Sequence, residues 1–282
     1  VSIDVSVKML ENRLIQVIFR DIIQNDATHT EIYTTNRLLE LFVKTSSKKE
    51  YLDSVIDLLH EWTGCNCIGI RVLDKEGNIP YESYRGFSLD FWQQENWISV
   101  KTQCTCTRMV LQKPDPQDMS MMTPNGSFRC NNTEEFARWL TEKDISRYRG
   151  LCIRMGFKSL AIVPIHYKGT VLGVFHIADR REGMVPLEKI EFIESVSPLV
   201  GEAILRFSAE EELLKSEARL SEAQSIAHLG NWDWNIQTNQ LHWSDEIYRI
   251  FGLSPQQFGA TYDSFLNSIH PEDRESVKKA VN

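Results

Sequence analysis

The sequence lacks a long hydrophobic run. Its longest apolar stretches, such as Leu160–Ile165, are far shorter than the ~20 residues that cross a bilayer. No basic-then-apolar leader opens the chain, which begins at Val1. We therefore expect no membrane span in this chain.

Signatures of nucleotide chemistry are also missing. The sequence has neither a P-loop nor a GxGxxG motif, and none of its seven histidines sits in a His-Glu/Asp-x-x-Asn/Thr setting. We therefore expect no catalytic residue in this chain. A formal net charge of -8 argues against nucleic acid as a partner, because that surface needs clustered Lys and Arg.

Paired C-x-x-C motifs, the strong signature of structural zinc, do not occur. Six cysteines are present at 65, 67, 104, 106, 130 and 152, and the first four form two C-x-C pairs. The chain is too large to need disulfides for stability and shows no export signal. We therefore expect reduced thiols and a cytoplasmic location.

The composition is that of an ordinary globular protein. Hydrophobic residues make up 42% of the 282 positions and aromatic residues 10%, which disfavours disorder, collagen and a coiled-coil rod. The length allows one or two complete domains.

Apolar periodicity predicts an α+β chain. Alternating and β-branched runs predict strands at 1–10, 14–23, 67–73, 80–86, 158–166 and 170–178, the last two as a hairpin around Lys168-Gly169. Apolar stripes predict helices at about 24–48, 48–62, 106–112, 134–143, 187–227, 244–251 and 262–269. Pro198 predicts a kink or break in the long helix.

The long helix carries a weak heptad pattern. Its first seam position is occupied by Leu199, Arg206, Leu213 and Leu220. The second is occupied by Glu202, Ala209, Ser216 and Ala223. Two charged residues in this seam leave two alternatives open, a solvated connector and a parallel dimer helix.

Both ends of the chain resemble parts of PAS domains. Residues 228–282 resemble the first half of one, through Gly230-Asn231-Trp232, Trp243-Ser244, Ile250-Phe251-Gly252-Leu253 and His270-Pro271-Glu272-Asp273-Arg274. Residues 1–24 resemble the C-terminal strands of another, through VIFRDI at 17–22. The chain is therefore expected to begin inside one PAS domain and to end inside a second.

Residues 35–206 resemble a GAF domain. GFKSLAIVPI at 156–165 and GVFHIAD at 173–179 resemble its central hairpin. QCTCTRMV at 103–110 and NGSF at 125–128 resemble a subgroup found in multi-domain sensor histidine kinases. The resemblance implies an α+β fold with an antiparallel sheet and flanking helices, a connector helix over 25–48, and a long signalling helix over 187–227.

The cysteines that follow Cys67 in the sequence form the candidate site. Cys104, Cys106, Cys130 and Cys152 belong to the stretch where GAF domains build a pocket over the sheet, and we predict a ligand site formed by them together with Arg108. Four thiolates are able to bind zinc or an iron–sulfur cluster, one is able to ligate haem, and a neighbouring pair is able to form a redox disulfide. Small structural side chains are the remaining alternative.

The spacing of Cys104 and Cys106, and the basic residues near the cysteines, affect whether these side chains form one site. In a regular helix Cys104 and Cys106 would point to different faces, so a shared site there requires a break in the helical backbone pattern. Further arginines lie near the cysteines in sequence, at Arg147, Arg149 and Arg154, and histidines lie on the hairpin at His166 and His176. We interpret the histidines as strand residues and the tryptophans at 232, 234 and 243 as packing residues.

These features predict a sensory segment of a sensor histidine kinase. A small ligand or a redox cofactor (haem, an iron–sulfur cluster, zinc, or none) would act in the GAF domain, and the change would pass through the long helix to the PAS domain. Expected partners are a second copy of the chain, a downstream kinase domain and a response regulator. The alternative is a dimerisation or scaffold module without a ligand.

Overall fold

A computed structural model describes residues 30–141, 149–235, 237–238, 240–254 and 261–281. The chain divides into two compact units, Val1–Ser208 and Ala209–Asn282. The strands predicted over 1–24, and with them the N-terminal PAS segment, lie outside the described residues. No described helix combines the length and the apolar character that a membrane crossing requires.

A five-stranded antiparallel sheet forms the centre of the first unit. Its strands are β1 (Cys67–Val72), β2 (Tyr81–Arg85), β3 (Phe128–Cys130), β4 (Ser159–Tyr167) and β5 (Thr170–Asp179), in the order β2-β1-β5-β4-β3. The predicted β4–β5 hairpin is present. Lys168 and Gly169 both have positive φ, as a two-residue hairpin turn of the favoured twist requires.

Helices cover both faces of this sheet. They are α1 (30–44), α2 (Lys48–Thr63), α3 (Leu89–Glu95), α4 (Thr105–Val110), α5 (Thr133–Arg138), α6 (Leu151–Arg154) and α7 (Leu187–Ala227), with a 3₁₀ helix at Pro116–Met121. The expected helix over 134–143 ends at Arg138, and the sequence patterns did not predict α3, the 3₁₀ helix or β3.

The sheet separates two apolar layers. In β1 the alternation of side chains sends Ile68 and Ile70 to one face and Cys67 and Arg71 to the other. The first layer lies under α1, α2 and α7 and is called the helical layer here. The second lies under α3, α4, α5 and α6 and is called the pocket layer. Nothing but the sheet and its edge loops separates the two.

The long helix α7 is continuous, so the break predicted at Pro198 does not occur. Proline lacks an N–H, so the carbonyl of Glu194 loses its helical donor while the helix runs on. Between Ile190 and Phe207 the helix contributes buried side chains to the helical layer. Every residue from 209 to 223 is exposed.

Gly201 allows α7 to lie directly against the end of β4. A Cβ built at this position would stand 2.7 Å from the carbonyl oxygen of His166, which is backbone and cannot swing away. A larger residue at position 201 would therefore push the helix off the sheet.

We expect Gly201→Ala to destabilise the first unit. Overpacking costs about 1–3 kcal/mol, which opposes the gain of about 1 kcal/mol that Ala brings to a helix interior. Hydrogen exchange of the β4 and β5 amides in urea measures the effect. The matched control is Glu202→Ala, at an exposed neighbouring position. Equal or slower exchange in Gly201→Ala would contradict the close approach.

Beyond the end of α7, the described residues of the second unit form a two-stranded hairpin and three short helices. They are β6 (Trp232–Asn235), β7 (Gln240–Trp243), α8 (Asp245–Ile250), α9 (Tyr262–Ser268) and α10 (Arg274–Val281). Trp232 pairs with Trp243 across the hairpin. Trp232 is 58% exposed, so it is a residue of the hairpin surface and does not lie in a buried core.

Candidate functional site

Cys104 and Cys106 meet at the start of α4. Cys104 precedes the helix in an extended conformation (φ −148°, ψ 149°), and the helical backbone begins at Thr105. This change of conformation is the break that a shared site requires, and it brings both side chains together. The two thiols lie close enough for each to change the acidity of the other.

Cys152 joins this pair from α6. The amide of Arg149 donates to the carbonyl of Gln103 (3.1 Å), which holds the segment leading into α6 beside the start of α4. All three thiols line one cavity of about 30 Å³ in the pocket layer. A cavity of this size accepts one or two water-sized molecules, whereas drug-sized ligands need roughly 300 Å³ or more.

A fully buried arginine lies beneath the thiols. Arg71 of β1 donates to the carbonyl of Ile79 (2.7 Å) and to the carbonyl of Glu95 (2.6 Å), and its guanidinium lies 3.9 Å from the ring centre of Tyr81. The Glu95 carboxylate is 3.7 Å from the same guanidinium. A charge buried in an apolar layer needs such partners, because leaving it unpaired costs several kcal/mol.

Glu95 connects this arginine to the cavity wall. Its other carboxylate oxygen accepts from Arg149 Nε at 2.7 Å, and Arg149 also donates to the backbone carbonyl of Gln94. Both Glu95 and Arg149 line the cavity. Sequence reasoning placed Arg149 near the cysteines but missed Arg71 and Glu95. The signal for Arg71 was a lone charge inside the apolar strand CIGIRV.

His176 contributes an imidazole from β5. The Tyr81 hydroxyl lies 2.5 Å from Nδ1, and Cys152 Sγ lies 3.7 Å from Nε2. Burial, reinforced by the positive charge of Arg71, holds the pKa of His176 well below its usual value, so the ring is neutral. His166 lines a separate groove beside Glu194 and Pro198, so the two hairpin histidines share no site.

The three thiols differ in acidity. The hydrogen bond from Cys106 lowers the pKa of Cys104 to about 7, against the opposing effects of burial and of Glu95. The same bond and burial raise the pKa of Cys106 well above its usual value, and burial does so for Cys152. Cys104 is therefore the nucleophilic thiol of the group, because thiolates and not thiols react.

Arg108 faces away from the thiols and into an ion pair. Its Nε and Nη2 donate to the two carboxylate oxygens of Asp118 at 2.6 and 2.9 Å, and both residues are buried. Asp118 belongs to the 3₁₀ helix, and it also accepts from the amide of Asp115. Arg108 therefore fixes α4 to the 3₁₀ helix, and it does not line the cavity that the thiols share.

The loop after the 3₁₀ helix reaches the long helix. The hydroxyl of Thr123 donates to the carboxylate of Glu194 on α7, and the Asn125 side-chain amide donates to the other oxygen at 2.8 Å. Thr123 Oγ1 also accepts from the amide of Ser127, which braces the loop. The Arg108–Asp118 pair, the chain from Asp118 to Thr123, and the contacts of Thr123 and Asn125 with Glu194 thus connect α4 to α7.

The other predicted site residues lie elsewhere. Cys130 is buried in the pocket layer but does not line the cavity, and the charges that act on it are those of Arg129 and Glu135. Arg154 donates to the carbonyl of Arg149, and Arg147 lies outside the described residues. Within the described ranges, no three His, Cys, Asp or Glu side chains are grouped as a metal ion requires. The four-cysteine set that zinc or a cluster needs is not assembled.

An aromatic cavity of about 220 Å³ occurs in the second unit. It is lined by Trp232, Trp234, Leu241, Trp243, Ile247, Phe251, Tyr262 and Phe265. The rings of Trp234 and Tyr262 stack with centres 5.2 Å apart. The described residues that line it are aromatic or aliphatic, and the hydroxyl of Tyr262 is a buried polar group among them.

Comparison with known families identifies the first unit. The family model described as GAF domain matches residues 48–204, which is more than half of the chain. The chain belongs to the GAF domain family. A second family model, described as PAS fold, matches residues 240–282. The chain therefore joins a GAF domain to part of a PAS domain, which is the composition of a sensory signalling module.

Individual relatives cover smaller parts. Sensor protein FixL from Bradyrhizobium diazoefficiens is 40% identical over 53 residues, which is 19% of this chain and 10% of that protein. The chain thus covers about a tenth of that relative's length. Among solved structures, the GAF domain of a phosphoenolpyruvate-protein phosphotransferase from Acinetobacter is 12% identical, over 63% of this chain and 94% of that one, with a TM-score of 0.47. The Coxiella burnetii counterpart is 9% identical, over 65% and 98%, also with a TM-score of 0.47.

We expect Cys106→Ala to make Cys104 of the GAF domain less reactive near neutral pH. The substitution removes the hydrogen bond that lowers the pKa of Cys104, while burial and Glu95 still raise it. The midpoint for alkylation of Cys104 should move from about 7 to the ordinary thiol value of about 8.5 or higher.

Iodoacetamide labelling across pH 5–10, quantified by peptide mass spectrometry, measures this midpoint. Cys130→Ala is the control, because Cys130 does not line the cavity. An unchanged midpoint in Cys106→Ala would show that the bond does not set the acidity of Cys104.

Proposed function

We propose that this chain is a cytoplasmic sensory segment of a sensor histidine kinase. The GAF domain would respond at the thiol cavity to a small ligand or to a redox change. The response would pass through α7 to the PAS segment, and from there to a kinase domain and its response regulator in the parent protein.

The contacts between α4 and α7 carry this proposal. Cys104 and Cys106 open α4, Arg108 of the same helix holds Asp118, and Glu194 of α7 accepts from the loop that follows. A shift of α4 would change these contacts and favour one arrangement of α7 over another. Signalling needs such a difference, because a ligand that binds both states equally transmits nothing.

Two further observations support the sensory assignment. The helix that carries Glu194 extends without a break to Ala227, and the match to the PAS fold begins at residue 240. The relative that matches part of the chain is named a sensor protein. The cavity volume favours a small species or the thiols themselves over haem, which would require the pocket layer to open.

The proposed coupling predicts a selective effect of Asp118→Asn. Methylthiolation of Cys104 with methyl methanethiosulfonate adds a small group to the cavity and should alter hydrogen exchange in the 190–200 segment of α7. Asp118→Asn loses the charge that Arg108 contacts, so the response of α7 should fall at least several-fold while labelling of Cys104 persists.

Asp90→Asn is the matched control, since Asp90 is an exposed carboxylate on α3. It should retain the full response. If α7 exchange in the wild-type chain does not respond to the label at all, the proposed transmission is wrong.

A dimerisation module is the second candidate function. Leu213 and Leu220 lie seven residues apart on the exposed part of α7, and each is 60% exposed. A parallel pairing of two α7 helices would cover both side chains. In this function the GAF cavity would have no ligand.

The pairing predicts a difference between two adjacent leucines. Leu213→Glu places a charge in the seam and should convert the dimer to a monomer in multi-angle light scattering. Leu214→Glu is the matched control: Leu214 is 66% exposed but lies outside the heptad seam. Loss of the dimer in both variants, or in neither, would contradict pairing through this seam.

A further inference from the structure

We propose that Cys104 and Cys106 form a reversible disulfide when a hydroperoxide enters the cavity. The oxidant is then the signal and the dithiol is its receptor. This inference rests on the proposed function, because it names the chemical class of the signal to which the GAF cavity responds.

The geometry of the two C-x-C pairs carries the argument. Cys104 and Cys106 line the same cavity, because the extended residue and the helical residue meet there. Cys65 and Cys67 have the same spacing but belong to opposite layers, and the Cys65 thiol lies 3.5 Å from the carbonyl of Met184. Cys104 and Cys106 are therefore placed to form a disulfide, whereas Cys65 and Cys67 are not.

The reaction proceeds in two balanced steps. The Cys104 thiolate attacks one peroxide oxygen, the O–O bond breaks, and hydroxide or alkoxide leaves while Cys104 becomes a sulfenic acid. The Cys106 sulfur then attacks the Cys104 sulfur. The S–O bond breaks, the hydroxyl leaves with the Cys106 proton as water, and the S–S bond forms. A dithiol reductant returns both residues to thiols.

The surroundings of Cys104 suit this first step. Cys104 is half-buried while Cys106 is 2% exposed, so an oxidant meets Cys104 first. The positive charge of Arg71 favours the Cys104 thiolate, and Cys106 supplies the hydrogen bond that stabilises it. A cavity of about 30 Å³ admits hydrogen peroxide but excludes most larger molecules.

Cys152 is the competing partner. It lines the same cavity, but its thiol lies 3.7 Å from His176 Nε2 and belongs to a different helix. A disulfide between Cys104 and Cys152 would tie α6 to α4, whereas the proposed bond closes within the start of α4. Removing each partner separately distinguishes the two pairings.

The test treats the full chain with hydrogen peroxide after removal of metal with EDTA. Remaining thiols are blocked, and disulfides are mapped by peptide mass spectrometry without reduction. We expect a mass loss of two hydrogens in the peptide that carries Cys104 and Cys106, reversed by dithiothreitol. Cys152→Ser should form this disulfide as the wild-type chain does, while Cys106→Ser should stop at a sulfenic acid that dimedone traps.

Cys65 and Cys67 serve as an internal control with identical spacing, and they should stay reduced at the same peroxide dose. A Cys104–Cys152 disulfide, irreversible oxidation alone, or equal oxidation of the 65/67 pair would overturn the inference. Circular dichroism of each variant checks that it is folded. Because the disulfide is detected without reference to α7, its absence overturns this inference alone. Its presence with no change in α7 overturns the proposed transmission instead.

Discussion

The buried guanidinium of Arg71 is the constraint around which the pocket layer is organised. A charge at 0% exposure among apolar side chains demands hydrogen-bond acceptors from several directions. The carbonyl of Ile79 supplies one, the end of α3 supplies another at Glu95, and the Tyr81 ring covers the guanidinium. The Glu95 side chain then holds Arg149, which leads into α6. Arg71 thus connects β1 to the end of α3 and, through Glu95, to the segment that leads into α6.

The same arrangement explains why the cavity is small and reactive. Glu95 balances the positive charge of Arg71, and the thiols occupy the remaining space above the sheet. Cys104 gains its lowered pKa chiefly from the neighbouring thiol of Cys106, and the positive charge of Arg71 adds to this effect, while burial and Glu95 oppose it. The route to α7 begins on the same helix, through Arg108 and Asp118, so the site and its connection to the helical layer share one element.

The periodicity of apolar residues predicted those elements whose own side chains form a regular apolar face. The β4–β5 hairpin and α2 follow from alternation and from an apolar stripe, and α7 follows from its length. The elements α3, β3 and the 3₁₀ helix carry too few apolar residues for such a pattern. The contacts that hold them join distant residues, such as Arg71 with Glu95, 24 positions apart, and Glu95 with Arg149, 54 positions apart. No periodicity reports contacts of this kind.

The candidate site was predicted in part for the same reason. The C-x-C pair was visible as a motif, but whether its two thiols converge depends on the backbone change at Cys104. Grouping Cys130 and Arg108 with the thiols followed from sequence proximity. Each instead has its own neighbours, and Arg108 proves to hold α4 in place. Pro198 lies on the exposed side of α7, and the helix continues past it because residues before and after it, such as Val196 and Val200, pack in the helical layer.

Methyl NMR of the full chain tests the central claim most directly, namely that the state of the thiol cavity reaches α7. The methyl groups of Ile193, Val196 and Val200 on α7 report on the helical layer. The account predicts that the α7 methyl signals differ between the reduced and the peroxide-oxidised chain and return after reduction. Identical α7 signals in the two forms, with the disulfide present, would contradict it.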